Sequence, residues 1–461
     1  EFISRVEKHK ATLLSDSATP FDHDINALSD WLSIIAVGNG DDAIAMLRNT
    51  EREASEKILR LAEEARERWL KTYKPELEDL INRLQVGEAK IIISGDPLNK
   101  DKSFMAHLYT ENLAIEITRV AKAGSITINI SLTGLEGVNV AVPKLLDDNT
   151  LEAMQYGLLM TDGAINKKGY PTMSTNQLWQ AIIFPLMFPN KAYINITSVS
   201  INNSNVNITW QLKANDYKNK YKSKTIIAKK INKLNNEKFL QFLLLAILGD
   251  GTIDIKKKRI KLNIGISKYK MWAYINERIK SLGFKKNYSR YLITYTVTFS
   301  KAVNLAREML GNQLIRILID DLSKLFNAEK LKRLITISNM EIKSLGRSSI
   351  EIIDGIKMSI QLKEYGNIEL RIERKNYEDA KRIQELLKSA GCDAKLANYG
   401  KFFRVFISME TIREHKELAA KVCEILRRMH KNAIDEGNTE RAWRIARAIT
   451  KLSCHNPAQG L

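Results

Sequence analysis

The sequence predicts an α+β chain built around a duplicated unit, and three observations predict it. Two apolar stretches, 151–163 (LEAMQYGLLMTDG) and 238–251 (KFLQFLLLAILGDG), each end in Asp-Gly, with the two aspartates 88 residues apart. Behind each comes the same succession of segments, so that each unit is expected to run helix–strand–strand–helix–strand–strand. A period of this length marks a supersecondary block repeated within one chain. Charge divides the chain at the same place. Residues 1–150 carry 18 basic and 25 acidic side chains, net −7, whereas residues 151–461 carry 54 and 28, net +26.

The elements follow in order. Residues 1–85 are expected to be helical, because 52–69 repeats apolar side chains at helical spacing. Pro75 marks the meeting of two helices. Residues 89–94 (AKIIIS) predict a buried strand, 104–121 a helix, and 125–132 (SITINISL) an alternating strand. The first repeat occupies 151–212. Ser174, Trp179 and Ile182 lead into its second helix, which stops at Phe188-Pro189 before a hairpin turning at Asn202-Asn203. The second occupies 238–310, with Ser267, Trp272 and Ile275, a stop at Gly283-Phe284 and a hairpin over 289–299. Both tryptophans are expected to anchor cores. A weaker third copy has a strand at 367–372, a helix at 377–390 and a hairpin at 392–407. It lacks the apolar helix, and its Asp354-Gly355 is expected to turn a hairpin. Helices over 409–449 close the chain. The expected domains are an acidic N-terminal α/β region (1–147), two half-domains (148–235, the first with a linker, and 236–340) and a C-terminal α/β module (341–461).

Composition excludes several classes. At 44% hydrophobic and 27% charged residues the chain is globular and not wholly disordered. The longest apolar runs, 31–37, 181–188 and 239–249, fall short of the roughly 18–20 residues that cross a bilayer, and no signal peptide is visible. Three cysteines exclude a disulfide framework and fit a reducing cytoplasm. No His–Cys group has zinc-ligand spacing, and Ser94-Gly95-Asp96 lacks the ending of a phosphate-binding loop. The basic block from 151 onward points to a polyanion, most often nucleic acid.

Asp162 and Asp250 carry the chemistry. A helix C-terminus holds partial negative charge, so a carboxylate there costs free energy. Two carboxylates so placed in matched repeats call for a compensating cation, either Lys/Arg or a metal with a taste for hard oxygen such as Mg²⁺ (or Mn²⁺). Gly157 and Thr161 lie one turn apart and let another backbone approach, as do Ala246 and Gly249 in the second helix. Lys256, Lys257, Lys258, Arg259 and Lys261 sit in the first hairpin after Asp250, and Lys167 and Lys168 in the equivalent place after Asp162. A two-stranded ribbon with a basic tip can meet phosphates, while Asn263, Ser267, Thr172 and Ser174 could reach base edges. Lys213 and Lys301 end equivalent hairpins and are candidates to offset charge developing on a scissile phosphate. Residues 218–233 join the halves as a basic linker.

The segments QYGLLMTDG and LLLAILGDG resemble the LAGLIDADG motif of homing endonucleases, and the likeness covers roughly 150–310. Gly157 matches the motif's inner glycine, Leu245 stands at that place in the second copy, and the final acid is present in both. The resemblance implies a pseudo-twofold saddle of two antiparallel sheets, a single chain acting as a monomer on double-stranded DNA, and Asp162 and Asp250 binding divalent metal to activate water for phosphodiester cleavage. The alternative is a non-catalytic DNA- or RNA-binding protein, such as a regulator or an intron maturase, on the same scaffold.

Overall fold

Apolar side chains at helical spacing build the N-terminal segment. In the computed structural model the helices Asp22–Ile34 and Ala43–Arg68 pack together, and Asp42 caps the second by accepting from the Ala45 amide. A π-turn, Trp69–Tyr73, carries this helix into Lys74–Gln85, and Pro75, which has no amide to continue an α-helical ladder, stands just where the π-turn ends. The structure describes residues 1–38, 42–99, 101–120, 126–341, 348–353, 355–435 and 438–454. The chain forms two units, Glu1–Met340 and Glu341–Leu461.

Five strands follow the helices: β1 (Ile92–Gly95), β2 (Phe104–Tyr109), β3 (Leu113–Arg119), β4 (Ile126–Leu132) and β5 (Val138–Val142). Two expectations are corrected here. The helix expected over 104–121 is the β2–β3 hairpin, because Leu-Ala-Ile-Glu-Ile alternates with a period of two and is rich in β-branched side chains. β1 is not buried. All four residues are exposed because the strand forms the sheet's edge. Residues 121–125, which the expected 104–121 helix and 125–132 strand reached, lie outside the described residues.

The first repeat opens with the core helix Asp148–Met160, capped by Asp147. It continues through β6 (Gly163–Ile165), β7 (Pro171–Thr175), the buried helix Leu178–Met187, β8 (Asn190–Ile201) and β9 (Val206–Ala214). The nine strands form one sheet, ordered β1-β2-β3-β4-β8-β9-β7-β6, with β5 also pairing to β8. The second repeat opens with the core helix Asn236–Asp250 and supplies β10 (Gly251–Asp254), β11 (Arg259–Gly265), β12 (Lys285–Tyr288) and β13 (Leu292–Thr298), ordered β10-β11-β13-β12. Both repeats therefore share the order first–second–fourth–third strand. The expected second helix of this repeat is broken into short turns, Ile266–Lys268, Tyr269–Trp272, Ala273–Ile275 and Asn276–Ser281, so Ser267 lies in a turn and not on a strand. Trp179 and Trp272 are both buried. Three helices, Ser300–Met309, Gln313–Ser323 and Glu329–Asn339, complete the unit.

The second unit holds β14 (Ser349–Ile353), β15 (Ile356–Leu362), β16 (Ile368–Arg374), β17 (Ala394–Asn398) and β18 (Phe403–Ile407), ordered β14-β15-β16-β18-β17. With the helix Tyr377–Ser389 between β16 and β17, the last four strands repeat the first–second–fourth–third order without a core helix. The β14–β15 hairpin turns through Gly355, and Asp354 lies outside the described residues. The helices Met409–Glu414, Lys416–Asp435 and Thr439–Lys451 close the chain. The last two pack together and bring Cys423 and Cys454 to a Cα separation of 5.5 Å, where they form a disulfide. Cys392 is free and buried, so the one bridge is a single staple and not a framework. All strand pairings described are antiparallel, as an α+β chain requires. Among the described residues no helix is long and apolar enough to cross a membrane.

Candidate active site

Small side chains let the two core helices meet. A Cβ added to Gly157 would stand 2.6 Å from the Phe242 carbonyl oxygen, 2.8 Å from Leu245 Cβ and 3.2 Å from the Ala246 nitrogen. A Cβ added to Gly249 would stand 2.4 Å from Thr161 Oγ1. Real Cβ atoms do not approach so closely, so both positions need glycine for contact. Leu245 lies 88 residues after Gly157, and Gly249 lies 88 after Thr161. At both levels of the seam a residue thus faces its own repeat counterpart, and one member of each pair is glycine. Gly157, Thr161, Ala246 and Gly249 all lie in this seam.

The aspartates, also 88 apart, follow directly. The Gly249 Cβ position is 3.2 Å from Asp162 Oδ2, which puts that carboxylate beside the end of the second core helix. Asp162 is exposed, and its Oδ2 accepts from Gln180 Nε2 at 2.5 Å. Gln180 is held in turn by the Thr175 hydroxyl. Asp250 is half-buried and pairs with Lys268 at 3.8 Å. Its carboxyl is raised above the ordinary range, first by burial; the Asp162 charge adds to this, and Lys268, Lys330 and Lys224 oppose it.

Two further lysines answer the call for compensating charge. Lys330 Nζ donates to the carbonyl oxygens of Leu248 at 2.8 Å and Gly249 at 2.6 Å, and Lys224 Nζ donates to Gly163 O at 2.7 Å. Leu248 and Gly249 close the second core helix, where carbonyls lack intrahelical partners and carry partial negative charge, so the Lys330 ammonium is favourable there, whereas Gly163 opens β6. Burial lowers the basicity of both amines, while Asp162 and Asp250 act in the opposite sense. Beside this cluster opens a cleft of about 660 Å³ to which both repeats contribute, through Asp162, Ser174, Gln180, Thr252, Lys330 and Arg333 among others.

The remaining candidates are placed differently. Lys256, Lys257 and Lys258 form the β10–β11 turn, and Lys167 and Lys168 the β6–β7 turn. Lys261 and Asn263 share one face of β11, opposite Thr296 and Thr294. Arg259 is engaged by Asp254 at 2.9 Å. Lys213 lies over the rings of Tyr170 and Tyr193, and Lys301 lies along Gly283. Among the described residues neither pairs with Asp162 or Asp250. Sequence reasoning missed the four side chains nearest the acids. Gln180 and Lys268 had a signal, since each stands 18 residues after its acid. Lys224 and Lys330 had none, because the helices that carry them follow no repeat spacing.

No family model matches the chain, and no curated protein matches it. Among solved structures it is similar to one described as "Structures and dynamics of mesophilic variants from the homing endonuclease I-DmoI", with 12% identity and a TM-score of 0.24, over 36% of this chain and 98% of that one. So slight a likeness leaves the functional reading to rest on the geometry of the site.

Proposed function

We propose that the chain binds double-stranded DNA and hydrolyses it at specific sites, using Asp162 and Asp250. The observation that carries this reading is the meeting of two carboxylates, one from each repeat, beside a seam where Gly157 faces Leu245 and Thr161 faces Gly249. The basic turns at 167–168 and 256–258 and the LAGLIDADG-like motifs support it. The donor set fits Mg²⁺ or Mn²⁺ in a limited way. No cluster of three or more His, Cys, Asp or Glu stands among the described residues, so Asp162 and Asp250 would hold the ion with oxygens from phosphate and water, as is usual for Mg²⁺. Such an ion would polarise the phosphate and lower the pKa of a bound water.

The chain's own residues have separate tasks in this reading. Gln180 orients the Asp162 carboxylate, with Thr175 behind it. Lys330 at the end of the second core helix and Lys224 at the start of β6 hold positive charge near the acids and limit repulsion between them. Lys268 is the most exposed of the three amines and the one free to follow a phosphate as charge develops on it. The test is incubation with genomic DNA in Mg²⁺ or EDTA, with new ends mapped by sequencing. Recurrent ends that need Mg²⁺ and vanish in the Asp162→Asn/Asp250→Asn double variant are expected. One observation favours a second reading: Lys330 already occupies the carbonyls beside the acids. Salt-sensitive DNA or RNA retention without any new ends would leave a binding protein on this scaffold.

A further inference from the structure

The hairpin tip of the second repeat carries a cluster that the proposed cleavage does not use. Tyr288 and Tyr291 are 67% and 68% exposed. Lys286 Nζ sits 4.1 Å from the ring centre of Tyr269 and 4.6 Å from that of Tyr288, and the Arg290 guanidinium lies 5.2 Å from that of Tyr291. The turn is fixed by the Ser289 amide donating to Leu292 O and the Ile266 amide donating to Tyr291 O. Strand register separates this cluster from the face bearing Lys261 and Asn263. Tyr288 and Lys286 stand opposite Ile293 and Tyr295, whose side chains point to the buried face, whereas Lys261 and Asn263 stand opposite Thr296 and Thr294.

Exposed rings interleaved with cations suit one ligand chemistry. Each ring can take the flat face of an unpaired base, and each cation can take the phosphate beside it. Charge complementarity agrees: Lys286 and Arg290 stand against the rings of the tip itself. The first repeat offers no such platform, because its tip at Asn202-Asn203 has no ring and is bound by His9 and Lys8. The same side-chain order recurs in the second unit. Residues 287–292 are Asn-Tyr-Ser-Arg-Tyr-Leu and 398–403 are Asn-Tyr-Gly-Lys-Phe-Phe. There Tyr399 and Phe402 stack 13° from parallel, and Arg404 lies 4.0 Å from the Tyr399 ring centre.

We infer that the 287–292 tip is a stacking site for the unpaired bases of a polynucleotide strand, separate from the duplex-binding face. This rests on the reading of the chain as a nucleic-acid-binding protein. The test is fluorescence anisotropy of the full chain in EDTA, with a 12-nucleotide single-stranded DNA, the same sequence as RNA, and the DNA duplex. The Tyr288→Ala/Tyr291→Ala variant should bind single strands about tenfold or more weakly while its duplex affinity stays unchanged. Tyr288→Phe, which keeps the ring, should bind like the parent. The tighter of the two single strands identifies the source of the bases. Single-strand affinity unaffected by loss of both rings, or duplex and single-strand affinity lost equally, would overturn the inference. Duplex cleavage does not enter this readout: ring-dependent single-strand binding in a chain that cuts nothing would uphold the inference and sink only the nuclease. Binding to neither duplex nor single strand would sink both. Both rings are exposed, so unchanged thermal melting confirms that the variants are folded.

Discussion

The two repeats share strand order and motif but have become different objects. The first is buttressed. Its sheet continues through β8 into β4 and on to β1, its hairpin is long, and its tip is bound by the N-terminal helices. Trp210 on β9 donates through Nε1 to Asp24 of the N-terminal helix, and both are buried. The second stands on four strands with a short hairpin, an exposed tip and a helix broken into turns. The acids follow the same division, one held by a neutral amide and the other by an ammonium. The difference teaches where the acidic N-terminal region belongs. It is built onto the sheet of the first repeat and also onto the helices that follow the second, through Trp31 Nε1 to Asp321 O at 2.7 Å and Arg48 to Asp321 at 3.1 Å, while the basic turn and the tip of the second sheet stay uncovered.

The largest expected effect breaks the buttress. Trp210→Ala removes a fully buried ring and its bond to Asp24 and should destabilise the first unit by about 3–5 kcal/mol in denaturant melts. Its loss should be felt first in β8 and β9, as read by hydrogen exchange. A second effect is set by pH. Glu51, on the helix Ala43–Arg68, is buried without a hydrogen-bond partner, and burial followed by the neighbouring Asp321 pushes its carboxyl up to about 9. Its folded pKa exceeds its unfolded value, so the associated stability is present below pH 4.5 or so and is lost as pH rises through 9. The unfolding free energy should fall across that window by up to about 1.4 kcal/mol per pH unit, with the melting midpoint falling alongside, and Glu51→Gln should flatten the fall. A flat parent profile would refute the assignment.

The seam gives a smaller effect that sharpens the comparison. Gly157→Ala presses on backbone and should cost about 1–3 kcal/mol. Gly249→Ala presses on the Thr161 side chain, at 2.4 Å from Oγ1 and 2.8 Å from Cβ, and Thr161→Gly/Gly249→Ala, which moves the glycine to the other member of the pair, should recover most of the cost. Failure of that rescue would mean the counterpart pairing is not what sets the helix approach. The smallest effect makes the two acids alike. Lys268→Gln removes the ammonium beside Asp250 and should raise its carboxyl further, which carbon-detected NMR titration would resolve. A downward shift would contradict the role given to Lys268.

Much of this could be read from residue order. Asp-Gly at the end of two apolar runs announced both core helices, the 88-residue spacing announced the repeat, and Gly157 announced close packing. The misreadings have local causes. Residues 104–121 hold enough Leu, Ala and Glu to suit a helix, and only pairing with β4 makes alternation decisive. The run Ile91–Ile92–Ile93 promised a buried strand, yet nothing in a single segment tells it that it will be an edge. Cysteine count could not foresee Cys423 meeting Cys454, since that depends on how two helices pack.

The sequence by itself therefore determined what is periodic: the repeat, the order of elements within it, the core glycines, the two acids and the basic turns, because each is a property of neighbours along the chain. Tertiary structure alone decided which cations serve the acids, which repeat is buttressed and which tip stays open. Lys224 and Lys330 come from helices that follow the repeats at unequal distances, and the buttress comes from strands some 60 residues or more ahead of β8. Such partners are chosen by the burial of whole faces and the satisfaction of helix-end carbonyls, forces that act through space and leave no spacing in the chain.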